Sequence, residues 1–384
     1  MQRTGIIYCI LIFLQLFFHQ TSAQEFSWAH GITTHTTGTA AATDQYGNCY
    51  VTGYFTSTAM FGTVPLSTTG GIDVFVAKYA ADGTLLWARH GGSTADDVGQ
   101  AICTDAQGNC YVTGYFTGTA LFGIRSVTSA GGNDMFLVKY SPDGNAEWAK
   151  SGGGTNSDFG YGCTIDAAGR CVVTGSFYDV ASFGTIQLTA ANSSIDVFIA
   201  RYSSTGAILW ANKGGGTWTD IGRAVSADKY GFSYMTGTFE NTASFGTLQT
   251  TATTLNYPDV FVVCYDSLGT ARWLQQIGSS GLDKVSGICA GIPGRIAVTG
   301  NFIQPITAGL TQLTSAGNFD AFLIQYDSAG ALNWAQRAGG TEYDESYAIC
   351  NDLLGNYFLS GMFNGTASFG TTQLTATSST ASDL

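Results

Sequence analysis

Apolar and polar positions change places over short runs along this chain, and the runs are bounded by turn-forming residues. Gln100–Asp105 and Asn109–Phe116 are rich in β-branched and aromatic side chains and are joined by Asp105-Ala106-Gln107-Gly108-Asn109. Asp134–Tyr140 and Ala146–Lys150 form a second pair, joined by Ser141-Pro142-Asp143-Gly144. These runs predict four strands, named A to D here. Their short A–B and C–D turns make antiparallel hairpins at one end of a sheet, which leaves the D–A and B–C loops together at the other.

The pattern recurs. Asp-x-Phe-x-x-x-Tyr-x-x-x-Gly-x-x-x-Trp begins at Asp73, Asp134, Asp196, Asp259 and Asp320 with the same internal spacing. A second motif, read best at Tyr111-Val112-Thr113-Gly114-Tyr115-Phe116, places its glycine at Gly53, Gly114, Gly175, Gly237, Gly300 and Gly361, at intervals of 61, 61, 62, 63 and 61 residues. That period fits a four-stranded propeller blade with one enlarged loop. The step from motif Trp to the next motif Gly is 27 residues, except from Trp28 to Gly53, where it is 25. The remaining length variation falls between strands B and C, where a binding surface is tolerated. A lone four-stranded sheet leaves both faces wet, whereas blades stacked about an axis bury them and leave short edges. The expected fold is therefore all-β: a β-propeller of about six blades, the recurring Phe, Tyr and Trp packing between neighbours.

Both ends depart from the repeat. Met1–Ala23 reads as a cleaved secretory signal, with Arg3, an apolar run over Ile6–Phe18 and Thr21-Ser22-Ala23 as the cleavage site. The run is short for a membrane span, which needs roughly 20 residues, and no later segment is apolar enough to cross. Residues 24–384 form the propeller region, exported or at the cell surface. Phe26-Ser27-Trp28-Ala29 resembles a strand D without its strand C, and Asp383-Leu384 stands where the next Asp-x-Phe is due, so the last blade is incomplete and a truncated C-terminus is expected.

Charge narrows the partners. With 15 Lys and Arg against 27 Asp and Glu, the formal net charge is −12, and there is no basic patch for a phosphate backbone. Nucleic acid is therefore disfavoured. Eight of the nine cysteines follow the leader. Cys103 with Cys110, and Cys163 with Cys171, could face each other across hairpins, although columns that accept Cys, Ala, Ser, Ile and Tyr equally suit small buried hydrophobes.

Candidate chemistry centres on a row of loop aspartates, Asp97, Asp158, Asp220, Asp283 and Asp344, replaced by Thr36 in the first repeat. Converging carboxylates can hold calcium or hydrogen-bond a sugar; alternatively each caps its own Gly-rich loop. The row Asp73, Asp134, Asp196, Asp259 and Asp320 allows the same two readings. Trp218 is the Trp outside the motif, in a D–A loop where an exposed ring can stack on a sugar. Tyr343-Asp344-Glu345 fills the equivalent loop two repeats later, and His30, His35 and His90 gather in sequence near the first repeat. No nucleophile elbow, metalloprotease helix or zinc spacing is present.

The units resemble the SBBP-type β-propeller repeat. Gly-Gly-x-x-x-Asp-Asp-x-Gly, Asp-x-x-Gly-Asn-x-Tyr-Val-Thr-Gly, Asp-x-Phe-x-x-Lys-Tyr and Gly-x-x-x-Trp are matched over Gly91–Phe116 and Asp134–Trp148. The resemblance covers nearly all of residues 24–384. It implies an exported or surface protein of Bacteroidetes-like bacteria, often ending in a C-terminal sorting domain, which is not seen here. The Gly-x-x-x-Trp ending is also similar to the docking motif of quinoprotein dehydrogenases, without cofactor ligands beyond it. The expectation is a non-enzymatic scaffold for a protein or glycan, bound on the face made by the B–C and D–A loops. The alternative is a carbohydrate-active hydrolase or lyase using loop carboxylates. An enzyme should concentrate its polar departures in one or two adjacent blades.

Overall fold

The computed structural model describes residues 35–292, 294–352 and 354–376. The leader, the Phe26–Ala29 segment and Asp383-Leu384 lie outside the described residues. What is described is all-β apart from one short 3-10 turn at Ala191–Ser193. No helix among the described residues is long and apolar enough to cross a membrane.

The third repeat shows the plan. Strand A is Phe159–Ile165, B is Cys171–Tyr178, C is Ile195–Tyr202 and D is Ile208–Gly215, each antiparallel to the next. Register is set by the motif, with Gly175 opposite Phe198 and Phe177 opposite Asp196. Strand C is buried from Asp196 to Tyr202, as expected for a strand covered on both faces.

The B–C connection corrects the four-stranded expectation. It is not an open loop but a hairpin, Val180–Phe183 with Ile186–Thr189. That hairpin adds to strand D of the preceding repeat, Gly152 opposite Phe183 and Gly153 opposite Ser182. Five sheets are therefore six-stranded, each receiving its last two strands from the next repeat. The first repeat instead continues its B and C strands outward as Cys49–Phe61 and Val64–Tyr79. The physical cause is the Gly pair ending strand D. A Cβ on Gly152 would stand 2.6 Å from the Phe183 ring, so glycine leaves the space that the ring fills. While the hairpin backbone pairs with one repeat, Phe183 packs on Phe198 of its own, ring centroids 4.6 Å apart. Each hairpin thus ties two repeats and covers an otherwise open strand edge.

The motif Trp makes a second tie. Trp148 Nε1 donates to Ser204 O at 3.1 Å, in the C–D turn of the next repeat, and Trp87, Trp210 and Trp273 do the same to Pro142, Ser267 and Ser328. Gly206, at φ +80°, rests on the Trp148 indole, which explains a glycine at that motif position twice over. Along the other edge, strand A of each repeat packs beside strand A of the next, through all six. In the sixth repeat strand B, Tyr357–Met362, pairs only with strand A among the described residues. An apolar groove lined by Phe322, Leu359, Phe363 and Phe369 runs where strand C lies in the others.

All eight cysteines of the described region are free. Cys103 stands opposite Tyr111 and Cys110 opposite Thr104, while Cys163 faces Val173 and Cys171 faces Ile165. The two hairpin disulfides are therefore absent: the register offsets each pair, and the thiols serve as small buried groups.

Candidate functional site

The loop aspartates are buried, from 0 to 3% exposed. In Asp158, Oδ2 accepts Gly154 N–H at 2.7 Å and Oδ1 accepts Tyr178 N–H at 3.0 Å. Asp220 does the same with Gly216 and Glu240, and Asp344 with Gly340 and Asn364. Asp97 takes the N–H groups of Ser93 and Thr117. Asp283 instead accepts the Ser279 hydroxyl. In four of the five repeats one carboxylate thus fastens a D–A loop to the end of strand B within its own repeat, and the five stay separate. Burial raises the pKa of Asp97 to about 6, of Asp158 and Asp283 to about 7, and of Asp220 to about 8. Among the described residues no group of three or more His, Cys, Asp or Glu is placed to hold a metal ion.

The asymmetry that a site requires appears one strand further in. Every strand A carries a β-bulge at the same place, and the bulged residues are Thr39, Gln100, Tyr161, Arg223, Ser286 and Tyr347. A bulge re-aims the side chain that it carries. Here six equivalent backbone positions present side chains of five residue types, most of them flanked by small residues. The sequence contains this signal as a variable position between constants, Gly99-Gln100-Ala101, Gly160-Tyr161-Gly162 and Gly222-Arg223-Ala224. It is hidden by the fact that a bulge has no residue type of its own.

The last three bulges border one cleft of about 510 Å³, lined by Arg223, Lys284, Ser286, Glu345 and Tyr347, with Glu240 and Asn301. Its size suits a small ligand or a segment of a larger one. Lys284 Nζ donates to Glu345 Oε1 at 3.0 Å and to Tyr343 OH at 3.4 Å, and Tyr343 OH donates to the same carboxylate at 2.9 Å. Partial burial pulls the Lys284 pKa down, but these bonds more than offset it, so the net shift is upward and the ammonium stays charged. Asn301 is buried: its Oδ1 accepts Ser346 N–H at 2.7 Å and its Nδ2 donates to Ser346 O at 3.2 Å. The Arg223 guanidinium lies 5.1 Å from the Tyr161 ring, which stacks on Phe159 at 5.9 Å. Tyr347 is half exposed. The arrangement offers an exposed cation on an aromatic bed, an ion pair and a phenol within reach of one ligand.

Of the residues singled out in the sequence, Asp283 and Glu345 line this cleft and Tyr343 supports it, whereas Asp220 and Asp344 are outside its lining and Asp97 and Asp158 lie in earlier repeats. Trp218 is exposed, next to Thr219, which belongs to the lining. His90 stands 3.6 Å from Asp73, and His30 is outside the described residues.

No family model matches the chain. An uncharacterised WD repeat-containing protein of Acanthamoeba polyphaga mimivirus is 26% identical over 239 residues, covering 53% of this chain and 17% of that protein. The chain thus spans about a sixth of that relative, and the likeness agrees with a repeated β fold. A Bacteroides caccae protein of unknown function, solved by crystallography, matches at 10% identity and a TM-score of 0.33 over 72% of this chain and 94% of its own. That likeness is too slight to bear on the fold.

Proposed function

We propose that this chain is a binding scaffold, an exported propeller of the SBBP type that takes a polar segment of a protein or glycan in the cleft of repeats four to six. The observation that carries the reading is the bulge row: a constant frame presenting variable side chains is how a scaffold acquires a ligand without altering its fold. The cleft supplies both signs of charge, and Tyr347 and Trp218 supply exposed rings beside it. The loop aspartates then act as fasteners that hold the D–A loops around it.

A second reading rests on the same cleft. Lys284, Tyr343 and Glu345 are polar departures grouped in the adjacent repeats five and six, as the hydrolase or lyase alternative requires. Peptide and glycan arrays probed with residues 24–384, wild type and carrying Arg223→Ala or Tyr347→Ala, test the scaffold reading. Selective binding weakened at least tenfold by either variant supports it. Turnover of a bound glycan that is lost in Glu345→Gln favours the enzyme, and binding unaffected by both alanine variants removes the cleft from consideration.

A further inference from the structure

Four repeat interfaces bring two aspartates to one glycine, at Gly92, Gly153, Gly215 and Gly339, and Asp259 and Asp283 hold the equivalent positions at the fifth. A Cβ on Gly153 would lie 2.7 Å from Asp134 Oδ1 and 2.7 Å from Asp158 Oδ2, so both oxygens border one small space. The same holds at Gly92, at 2.7 Å for Asp73 Oδ1 and 2.9 Å for Asp97 Oδ2. The first member of each pair opens strand C and the second closes the following D–A loop. Both are buried, and two carboxylates so placed repel each other strongly if both are ionised.

The chain answers this repulsion in two ways. One strand-D position, opposite the motif Phe of strand C, carries His90, Ser151, Lys213, Gln276 and Arg337 in turn. Three of these are basic, and each reaches the strand-C aspartate: His90 Nδ1 at 3.6 Å from Asp73, Lys213 Nζ at 3.5 Å from Asp196 and Arg337 at 2.7 Å from Asp320. Ser151 and Gln276 bring no charge. Buried oxygens lack any hydrogen-bond partner at both of those pairs, namely Asp134 Oδ1, Asp259 Oδ1 and Asp283 Oδ2, and also at Asp73 Oδ1 and Asp320 Oδ1, where the basic side chain faces the other oxygen.

We propose that Asp134–Asp158 and Asp259–Asp283 are proton-binding sites, each pair holding one proton on the acid side of neutrality where the other repeats place a basic side chain. In the first pair the proton is shared between Asp134 Oδ1 and Asp158 Oδ2. Asp158 also accepts two N–H groups, from Gly154 and Tyr178, and Asp134 accepts one, from Ala130. In the second pair the proton lies between the two oxygens that have no other partner. The other groups facing Asp134 are neutral: Phe116 on strand B, and Ser151 with the glycines of strand D. Asp259 and Asp283 meet Phe239, Phe302, Thr253, Gln276 and Ser279, and the neighbouring Lys284 is turned to Glu345. Burial acts in the same direction here as at Asp97 and Asp220, raising Asp134 to about 6 and Asp158 and Asp283 to about 7, with Asp259 also raised, so it is the missing base and not burial that sets these two pairs apart.

Folding then takes up a proton at each pair. A carboxyl raised in the folded state stabilises fully below its unfolded pKa, near 4, and the contribution is lost as pH rises through 6 to 7. Between those limits the unfolding constant grows about tenfold per pH unit for each pair. Urea unfolding of residues 24–384 from pH 5 to 8 tests this with Asp134→Asn, Ser151→Lys and Asp259→Asn. Asparagine mimics the neutral acid and donates to Asp158, and lysine replaces the proton by a fixed charge. Asp134→Asn and Ser151→Lys should each flatten the profile by about tenfold per pH unit at the first pair, and Asp259→Asn should do so at the second. The infrared band of a protonated carboxyl should be present at pH 6 and weaker in both asparagine variants. Profiles parallel to the wild type overturn the proposal. So does a calcium-induced rise in stability at pH 8 that Asp134→Asn abolishes, since the ligand would then be a divalent cation. Ser151→Lys, which leaves both aspartates in place, decides the first pair if Asp134→Asn does not fold.

Discussion

Gly206→Ala measures how much one repeat depends on the next. Gly206 and Gly169 lie in two turns of the same repeat with nearly the same backbone, φ +80° and +72°. An alanine at either meets the left-handed penalty, about 1–2 kcal/mol. At Gly169 no atom lies within 4 Å of the new Cβ, so nothing more is expected. At Gly206 the Cβ would stand 2.8 Å from Trp148 Cδ2 and 2.9 Å from Lys150 Cε. The indole must shift, which strains the packing by about 1–3 kcal/mol. The shift also endangers the Trp148 bond to Ser204 O, worth about 1 kcal/mol. Gly206→Ala should therefore cost at least about 2 kcal/mol more than Gly169→Ala. Urea unfolding followed by far-UV circular dichroism, with slopes compared to confirm one transition, reads the difference. Equal losses would refute the claim that the motif glycine is held by the neighbouring Trp.

Further outcomes follow from the same geometry. Phe183→Ala should lower stability by about 3–5 kcal/mol and raise hydrogen exchange first in Val180–Thr189, because the ring ties that hairpin to two repeats. Asp158→Ala strands the N–H groups of Gly154 and Tyr178, at about 1–3 kcal/mol each, with Asp158→Asn less harmful in thermal unfolding. Unfolded without reductant, residues 24–384 should titrate eight thiols, and reductant should not move the melting temperature.

Much of the architecture was legible because the repeat is strict. Strand C was read with its observed bounds at Asp134–Tyr140, and strand D fell short by the three residues Ser151–Gly153 that receive the next hairpin. The hairpin itself was written in the chain as Thr-Ala-Ser-Phe-Gly, seen at Thr242–Gly246 and Thr366–Gly370. Alternating burial there, as in Ala243 and Phe245, marks a strand. It was passed over because length variation was equated with an open loop, and because pairing to a different repeat leaves no local trace. The aspartate rows were found readily since recurrence exposes them, but recurrence is a property of fasteners. The bulge row escaped for the opposite reason: its residues differ, and only backbone geometry shows that they are equivalent.

The central claim is that the bulge row selects the ligand while the frame does not. Its direct test is a triple variant of residues 24–384, Arg223→Thr, Ser286→Thr and Tyr347→Thr, which copies the first repeat's Thr39 onto the cleft. The account predicts a cooperative unfolding transition close to that of the wild type, together with loss of binding to the array ligand. Full binding by a folded triple variant would contradict it and would move the site away from the inner strands.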